Sequence, residues 1–240
     1  RTGFYKVFGV EVQQGGAQVG LSFRLPRNSE IKLMASKGFR YPTIRELYMF
    51  RPANADLNPE KLWSYELSYS QRLLQGQLSY GVNAFYIDGK DLIMRVPVDG
   101  RQMNVNTGKV ENAGVEAQVA YRLASAWSLD ANYSYLHMDN PVLASPEHKL
   151  YAGAAFSKGR WYVSTGCQYV AGLYTEVKVA GQGDYATEDF VLWNLRGSFR
   201  ALEWLNIWVR GENLLARKYE INARFPMPKA TVMAGMNVRF

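Results

Sequence analysis

Long hydrophobic runs are missing from this chain. No segment approaches the ~20 consecutive apolar residues that a membrane-spanning helix requires, although 48% of the 240 residues are hydrophobic. That excludes a helical membrane protein. It does not exclude a β-barrel, whose lipid-facing residues come at alternate positions. Cysteine is nearly absent too. Cys167 stands alone, so no internal disulfide forms and the redox compartment cannot be read from it. Histidine is scarce: His137 and His148 are the only two, at the edges of one connecting stretch. No Cys or His cluster has metal-ligand spacing, and no glycine-rich phosphate loop joins a strand to a helix. Serine is plentiful on alternating segments, but no serine is visibly paired with a base and a third orienting group. The expectation is therefore no catalytic set, no metal and no cofactor. No blade-length repeat appears, which argues against a propeller.

What is present is alternation. From Ala230 to Phe240 every second residue is apolar: Ala230, Val232, Ala234, Met236, Val238, Phe240. A strand sends successive side chains to opposite faces, so this segment has one greasy face and one mostly polar face. The same pattern places Trp63, Tyr65, Leu67 and Tyr69 against Ser64, Glu66, Ser68 and Ser70. It recurs in Leu78–Tyr86, Val115–Tyr121 and Trp127–Tyr135, with Cys167 on the apolar side of its own strand. About eleven strands are expected, with one more near the start at Phe4 to Val12; their lengths suit tilted spans of ~10 residues.

Connections alternate between short and long. Short turns are expected at 26–29, 74–76, 124–126, 157–160 and 200–204, and long loops at 39–60, 89–106, 139–147, 174–188 and 214–229. Thr43 to Phe50 is expected to hold a short helical turn. A soluble sandwich has no reason to keep that parity, whereas outer-membrane barrels have tight turns at one end and extended loops at the other. Trp63, Trp127, Trp161, Tyr121, Tyr135, Phe156 and Phe199 lie near strand ends and suggest two interfacial girdles. The fold class expected is all-β: an antiparallel up-and-down transmembrane β-barrel meander. The net charge of +7 calls for an anionic partner, but the cations are scattered, which argues against nucleic acid.

Two sets of residues are candidates for function. In the loop, Arg40, Tyr41, Arg45, Tyr48, Phe50 and Arg51 combine guanidinium and aromatic groups suited to an anionic or flat ligand; a packing role for Ile44, Leu47 and Met49 on the rim is the competing reading. On polar faces, Lys32, Glu66, Glu116, Arg196, Arg210, Glu212 and Arg239 are expected to line a path, to dock a plug, or to form a charge ladder across strands.

SKGFRYPTIRELYMF followed by NADLNPEKLWSYELSYS resembles a mid-barrel hairpin of TonB-dependent outer-membrane receptors, as does NAGVEAQVAYRL for the strand that follows. GENLLARKYEINARFPMPKATVMAGMNVRF resembles their C-terminal hairpin, and the wording is of the Bacteroides type. The resemblance covers nearly the whole chain. It implies that residues 1–240 are the C-terminal part of a plugged barrel of ~22 strands, with the plug and TonB box upstream of Arg1. It also implies that Phe240 belongs to the signal read by the outer-membrane assembly machinery. The function implied is energy-coupled uptake across a Gram-negative outer membrane, without enzymatic activity. The substrate would be an iron–siderophore complex, haem or cobalamin. The partners implied are the TonB complex, outer-membrane lipid and lipopolysaccharide. A plug-free porin, an autotransporter-type translocator and an outer-membrane enzyme are the rival classes. An open sheet, a smaller closed barrel, or edges paired to another chain is expected of the fragment, because a half-barrel leaves two unpaired edges.

Overall fold

The computed structural model describes residues 6–13, 16–49, 52–98, 100–176 and 186–239. Twelve strands form one antiparallel sheet in chain order: β1 (Lys6–Gln13), β2 (Gly16–Leu25), β3 (Ser29–Arg40), β4 (Glu60–Leu73), β5 (Leu78–Val98), β6 (Arg101–Leu123), β7 (Trp127–Met138), β8 (His148–Lys158), β9 (Trp161–Glu176), β10 (Ala186–Leu202), β11 (Leu205–Glu212) and β14 (Thr231–Val238). Between the last two lies a two-stranded flap, β12 (Glu220–Asn222) and β13 (Phe225–Pro226). One short helix, α1 (Ile44–Leu47), sits between β3 and β4. Among the described residues β1 and β14 form no ladder with one another, so the sheet is open.

Every neighbour in the sheet is also a neighbour in sequence, apart from the flap inserted before β14. Hairpin turns impose this order, and their backbone needs left-handed residues. Arg27 and Asn28 supply φ of 62° and 55° after β2, Ala124 57° after β6, and Gly159 61° after β8. Asn tolerates that region because its side chain is short and polar, and Gly because it lacks a Cβ.

Directly opposed residues share a face, so the register shows whether the alternation survives across the sheet. It does. Leu33, Leu67, Ala84, Val115 and Tyr135 form one continuous cross-strand row. One residue along each strand lies a second row, Lys32, Ser68, Asn83, Glu116, Ser134 and Lys149. Large side chains of the apolar face stand exposed, Leu67 to 50% and Ile207 to 49%. In water, so much exposed aliphatic surface would be an aggregation hazard; hydrocarbon is the medium it fits.

The aromatic residues measure that medium. Trp127 packs on Phe156 with ring centroids 4.9 Å apart, and Trp161 on Phe199 at 4.5 Å, near the short turns. Eight positions further along the strands lie Tyr135, His148 and Tyr169, with the Tyr135 and His148 rings 5.0 Å apart. Eight residues at ~3.3 Å each, tilted by ~40°, give a height of ~20 Å, close to the ~25 Å apolar band of outer-membrane barrels. His148 thus belongs to the upper belt, where the Tyr133 hydroxyl meets its Nδ1 at 2.8 Å.

Three expectations are corrected. Residues 89–106 are not an irregular loop: β5 and β6 stay paired out to Val98 and Arg101, with register shifts near Leu92. The hairpin projects well past its neighbours because Ile93, Val96, Met103 and Val105 continue a usable ladder. Residues 214–229 contain the β12–β13 flap rather than plain loop. The polar face is also not polar throughout. Val170 pairs with Lys149 and Phe190, so it lies on that face, yet it is buried with Leu173 and Phe190 under Leu192, Tyr219 and Ile221. Tyr219 packs on Phe190 at 4.4 Å. This small cluster is the hydrophobic core among the described residues, because a single sheet has no second layer to pack against.

Candidate functional site

The polar face carries two adjoining depressions. One, of about 1080 Å³, is lined by Arg24, Glu30, Lys32, Arg72, Gln118 and Asp130 among others. The other, of about 540 Å³, includes Ser68, Asn83, Glu116, Ser134 and Lys149. Lys32 reaches Glu30 at 3.2 Å on its own strand. Glu116 lies between Asn83 and Ser134, and Glu66 between Met34 and Phe85. Within the two depressions acids and bases stand together, Glu30, Glu116 and Asp130 beside Arg24, Lys32, Arg72 and Lys149. On β10 and β11 Arg196 is directly opposite Arg210, and the nearest acid is Glu212, bonded to Arg210 at 2.9 Å. Like charges in direct opposition are unfavourable, so this part of the wall is suited to an anion. Arg239 continues the same alternation, its amide bonded to the Trp204 carbonyl.

The loop between β3 and β4 is built rather than slack. Thr43 caps α1: its hydroxyl accepts from the Glu46 amide at 3.2 Å while the Glu46 carboxylate accepts from the Thr43 amide at 2.7 Å. The same carboxylate holds Arg40, whose Nη1 is 3.0 Å away, and Arg40 turns its Nε to Glu60 at 2.6 Å. With Arg40 as its main cause, the Glu46 carboxyl is lowered to about 2. Further along, the Asn54 side chain donates to the Asn104 carbonyl, and the Asn58 amide donates to Asn106 Oδ1 at 2.7 Å. The loop is thereby fastened to the projecting hairpin.

This geometry divides the loop candidates. Arg40 has its guanidinium engaged by two carboxylates. Tyr41 and Tyr48 are 68% exposed, and Arg45 is exposed with no carboxylate bonded to it among the described residues. Ile44 is 71% exposed and Met49 48% exposed, so neither packs the loop on the rim. Phe50, Arg51 and Phe240 lie outside the described residues. The Arg40–Glu46–Glu60 latch was not expected from the sequence. Its signal was there in part, since Thr43-x-x-Glu46 has the spacing of a capping box; the contact to Glu60 has no local signature.

A one-sided antiparallel meander with two aromatic belts, an apolar outer band and a polar cavity-bearing face is a transmembrane β-barrel wall. Among the described residues no helix is long and apolar enough to cross a membrane. Residues 15–214 match the family model described as TonB dependent receptor-like, beta-barrel. The chain belongs to that family, and its place is the outer membrane. It is 19% identical over 233 residues to the vitamin B12 transporter BtuB of Photobacterium profundum, covering 93% of this chain and 37% of that protein. Among solved structures, the copper transporter OprC superposes with a TM-score of 0.78 at 18% identity, over 94% of this chain and 39% of the other. The FrpB iron transporter from Neisseria meningitidis gives 0.78 at 15%, with 94% and 39% covered. The ferripyoverdine receptor of Pseudomonas aeruginosa gives 0.73 at 18%, with 94% and 33% covered. The chain thus spans less than two-fifths of the length of each.

Proposed function

We propose that residues 1–240 are the C-terminal part of the barrel of a receptor that takes up a scarce nutrient by TonB-driven transport and catalyses no reaction. In this reading the remaining strands of a ~22-stranded wall and the plug come from upstream sequence. The substrate favoured is an iron–siderophore complex, with haem and cobalamin behind it. Ferric chelates are commonly anionic, and both candidate regions present arginine that lacks a full counter-charge. Arg45, flanked by Tyr41 and Tyr48, would meet the ligand outside, with Phe50 and Arg51 on the same loop. Lys32, Glu66, Glu116, Arg196, Arg210, Glu212 and Arg239 would face the lumen and the plug. The apolar band would contact lipid, and Lys37, 5.3 Å above the Trp63 ring, would meet lipopolysaccharide head groups. Phe240 would be read by the assembly machinery.

The observation that carries this reading is the polar, cavity-bearing face of a sheet whose other face is fit only for hydrocarbon. The test uses the full-length receptor in cells starved of iron. Uptake of labelled ferric chelates and of labelled cobalamin is compared with and without a working TonB. Accumulation of one class that stops when TonB is lost is the expected result. Equal permeation of unrelated small solutes in both strains would make the protein a porin and overturn the assignment.

A further inference from the structure

The cations that stand scattered along the sequence are sorted by the fold. At the long-loop end Arg40, Lys61, Lys90 and Lys109 each bond a carboxylate. The short-turn end is the reverse. Each short turn has a cation in it or close to it: Arg27, Arg72, Arg122, Lys158, Arg160 or Arg200. All six are exposed, and among the described residues none of them bonds a carboxylate. Acids near these turns are few: Glu30, whose carboxylate already bonds Ser22 and Lys32, and Glu203. Short turns of outer-membrane barrels face the periplasm, so this basic rim lies at the inner leaflet.

The β8–β9 turn carries two of these cations and is fixed on both sides. The Ser157 amide donates to the Ala126 carbonyl at 2.8 Å, and the Arg200 amide donates to the Arg160 carbonyl at 2.9 Å. Arg160 Nη1 donates to the Ala201 carbonyl at 3.4 Å, which leaves the rest of the guanidinium's donors unused. Register sets Lys158 opposite Trp161, Trp161 opposite Phe199 and Phe199 opposite Ile207, all on the apolar face. The next row up is Trp127, Phe156, Val163, Gly197 and Val209. Gly197 leaves a gap in that row, since a Cβ there would have only Val209 Cγ1 near it, at 3.9 Å. From the turn into the apolar band, two unpaired cations are thus followed by an aromatic border and then by an apolar gap between two valines.

We propose that the β8–β9 turn binds the phosphodiester head group of an anionic phospholipid of the inner leaflet. Basic residues at a bilayer surface attract anionic lipid. Lys158 supplies a point charge and Arg160 a planar set of N–H donors, which together suit a phosphate. Trp161 and Phe199 border the glycerol region, where aromatic side chains collect, and an acyl chain fills the gap over Gly197. A free phosphate would use the cations alone and leave the border and the gap empty. A soluble acidic partner would need both cations turned to water, whereas Lys158 shares its row with the apolar band. The inference rests on the place of this wall in the membrane and not on the uptake reading, so either fails without the other.

The test uses the full-length receptor in detergent, equilibrated with equal amounts of dioleoylphosphatidylglycerol and dioleoylphosphatidylethanolamine. Lipid retained after affinity purification is measured by mass spectrometry. Retention of the anionic lipid about fivefold above the zwitterionic one is expected. Lys158→Gln combined with Arg160→Gln should lower that preference below about twofold. Gly197→Leu fills the gap with both cations in place and should reduce retention of phosphatidylglycerol about threefold; it carries the test if the double variant fails to assemble. Lys61→Gln, at the long-loop end, should leave retention as it was, and excess inorganic phosphate should not displace the lipid. Equal retention of the two lipids, retention indifferent to the double variant or to Gly197→Leu, a loss as large in Lys61→Gln, or displacement by inorganic phosphate overturns the proposal.

Discussion

The latch at the base of the β3–β4 loop gives the sharpest prediction. Glu46→Gln keeps the side chain's shape and removes its charge. The folded carboxyl sits at about 2 against an ordinary 4.5, which corresponds to about 3 kcal/mol at neutral pH. Water reduces that, because Arg40 is 45% exposed and Glu46 25% exposed. A cost of ~1–2 kcal/mol is expected, equal to a ~5- to 30-fold rise in the opening constant of the loop. The reporters are the amides of Leu47, Tyr48 and Asn54, which bond to the carbonyls of Thr43, Ile44 and Glu46. Hydrogen exchange followed by mass spectrometry on the detergent-solubilised receptor should show peptides over 43–54 exchanging faster by that factor. Peptides from β7 and β8 should not change. In the parent protein the carboxyl's stabilising contribution is complete above about pH 4.5 and is lost as pH falls toward about 2, since the folded value is the lower one. Unchanged exchange over 43–54 in the variant would refute the claim that Glu46 holds the loop down.

Four further outcomes follow from the same structure. Leu67→Arg, on the apolar face, should cost ~2–4 kcal/mol in folding into lipid vesicles, while Ser68→Arg on the polar face should cost under ~1 kcal/mol; urea titration in vesicles measures both, and equal costs would deny the sidedness. Gly114→Val should block assembly, because its Cβ would fall 2.6 Å from the Tyr135 carbonyl beneath the Phe85 ring; loss of heat-modifiable gel mobility is the readout. Tyr219→Ala should free the flap from Phe190, losing ~3 kcal/mol or more of local packing, and protease should then cut within 214–229 with the barrel intact. Asn106→Ala removes bonds to the Asn58 and Asp91 carbonyls and should raise proteolysis of the 52–59 segment several-fold.

The sequence by itself determined the two faces. Apolar and polar residues alternate with a period of two along each strand, and that period belongs to the chain locally, before any neighbour is in place. Turn residues such as Asn28 and Gly159 marked the tight ends, and aromatic residues near strand ends marked the belts. The helical turn at Thr43 was legible because its cap lies within four residues. What only the tertiary structure decided depends on registration between distant segments. Arg40 meets Glu60 across a whole loop. Val170 and Phe190 are buried on a polar face because Tyr219 and Ile221 return to cover them. Residues 89–106 read as irregular because the bulges near Leu92 break the period locally, although the ladder continues on either side. Face follows from the pleat of a single strand, whereas site geometry follows from how several strands are aligned against one another.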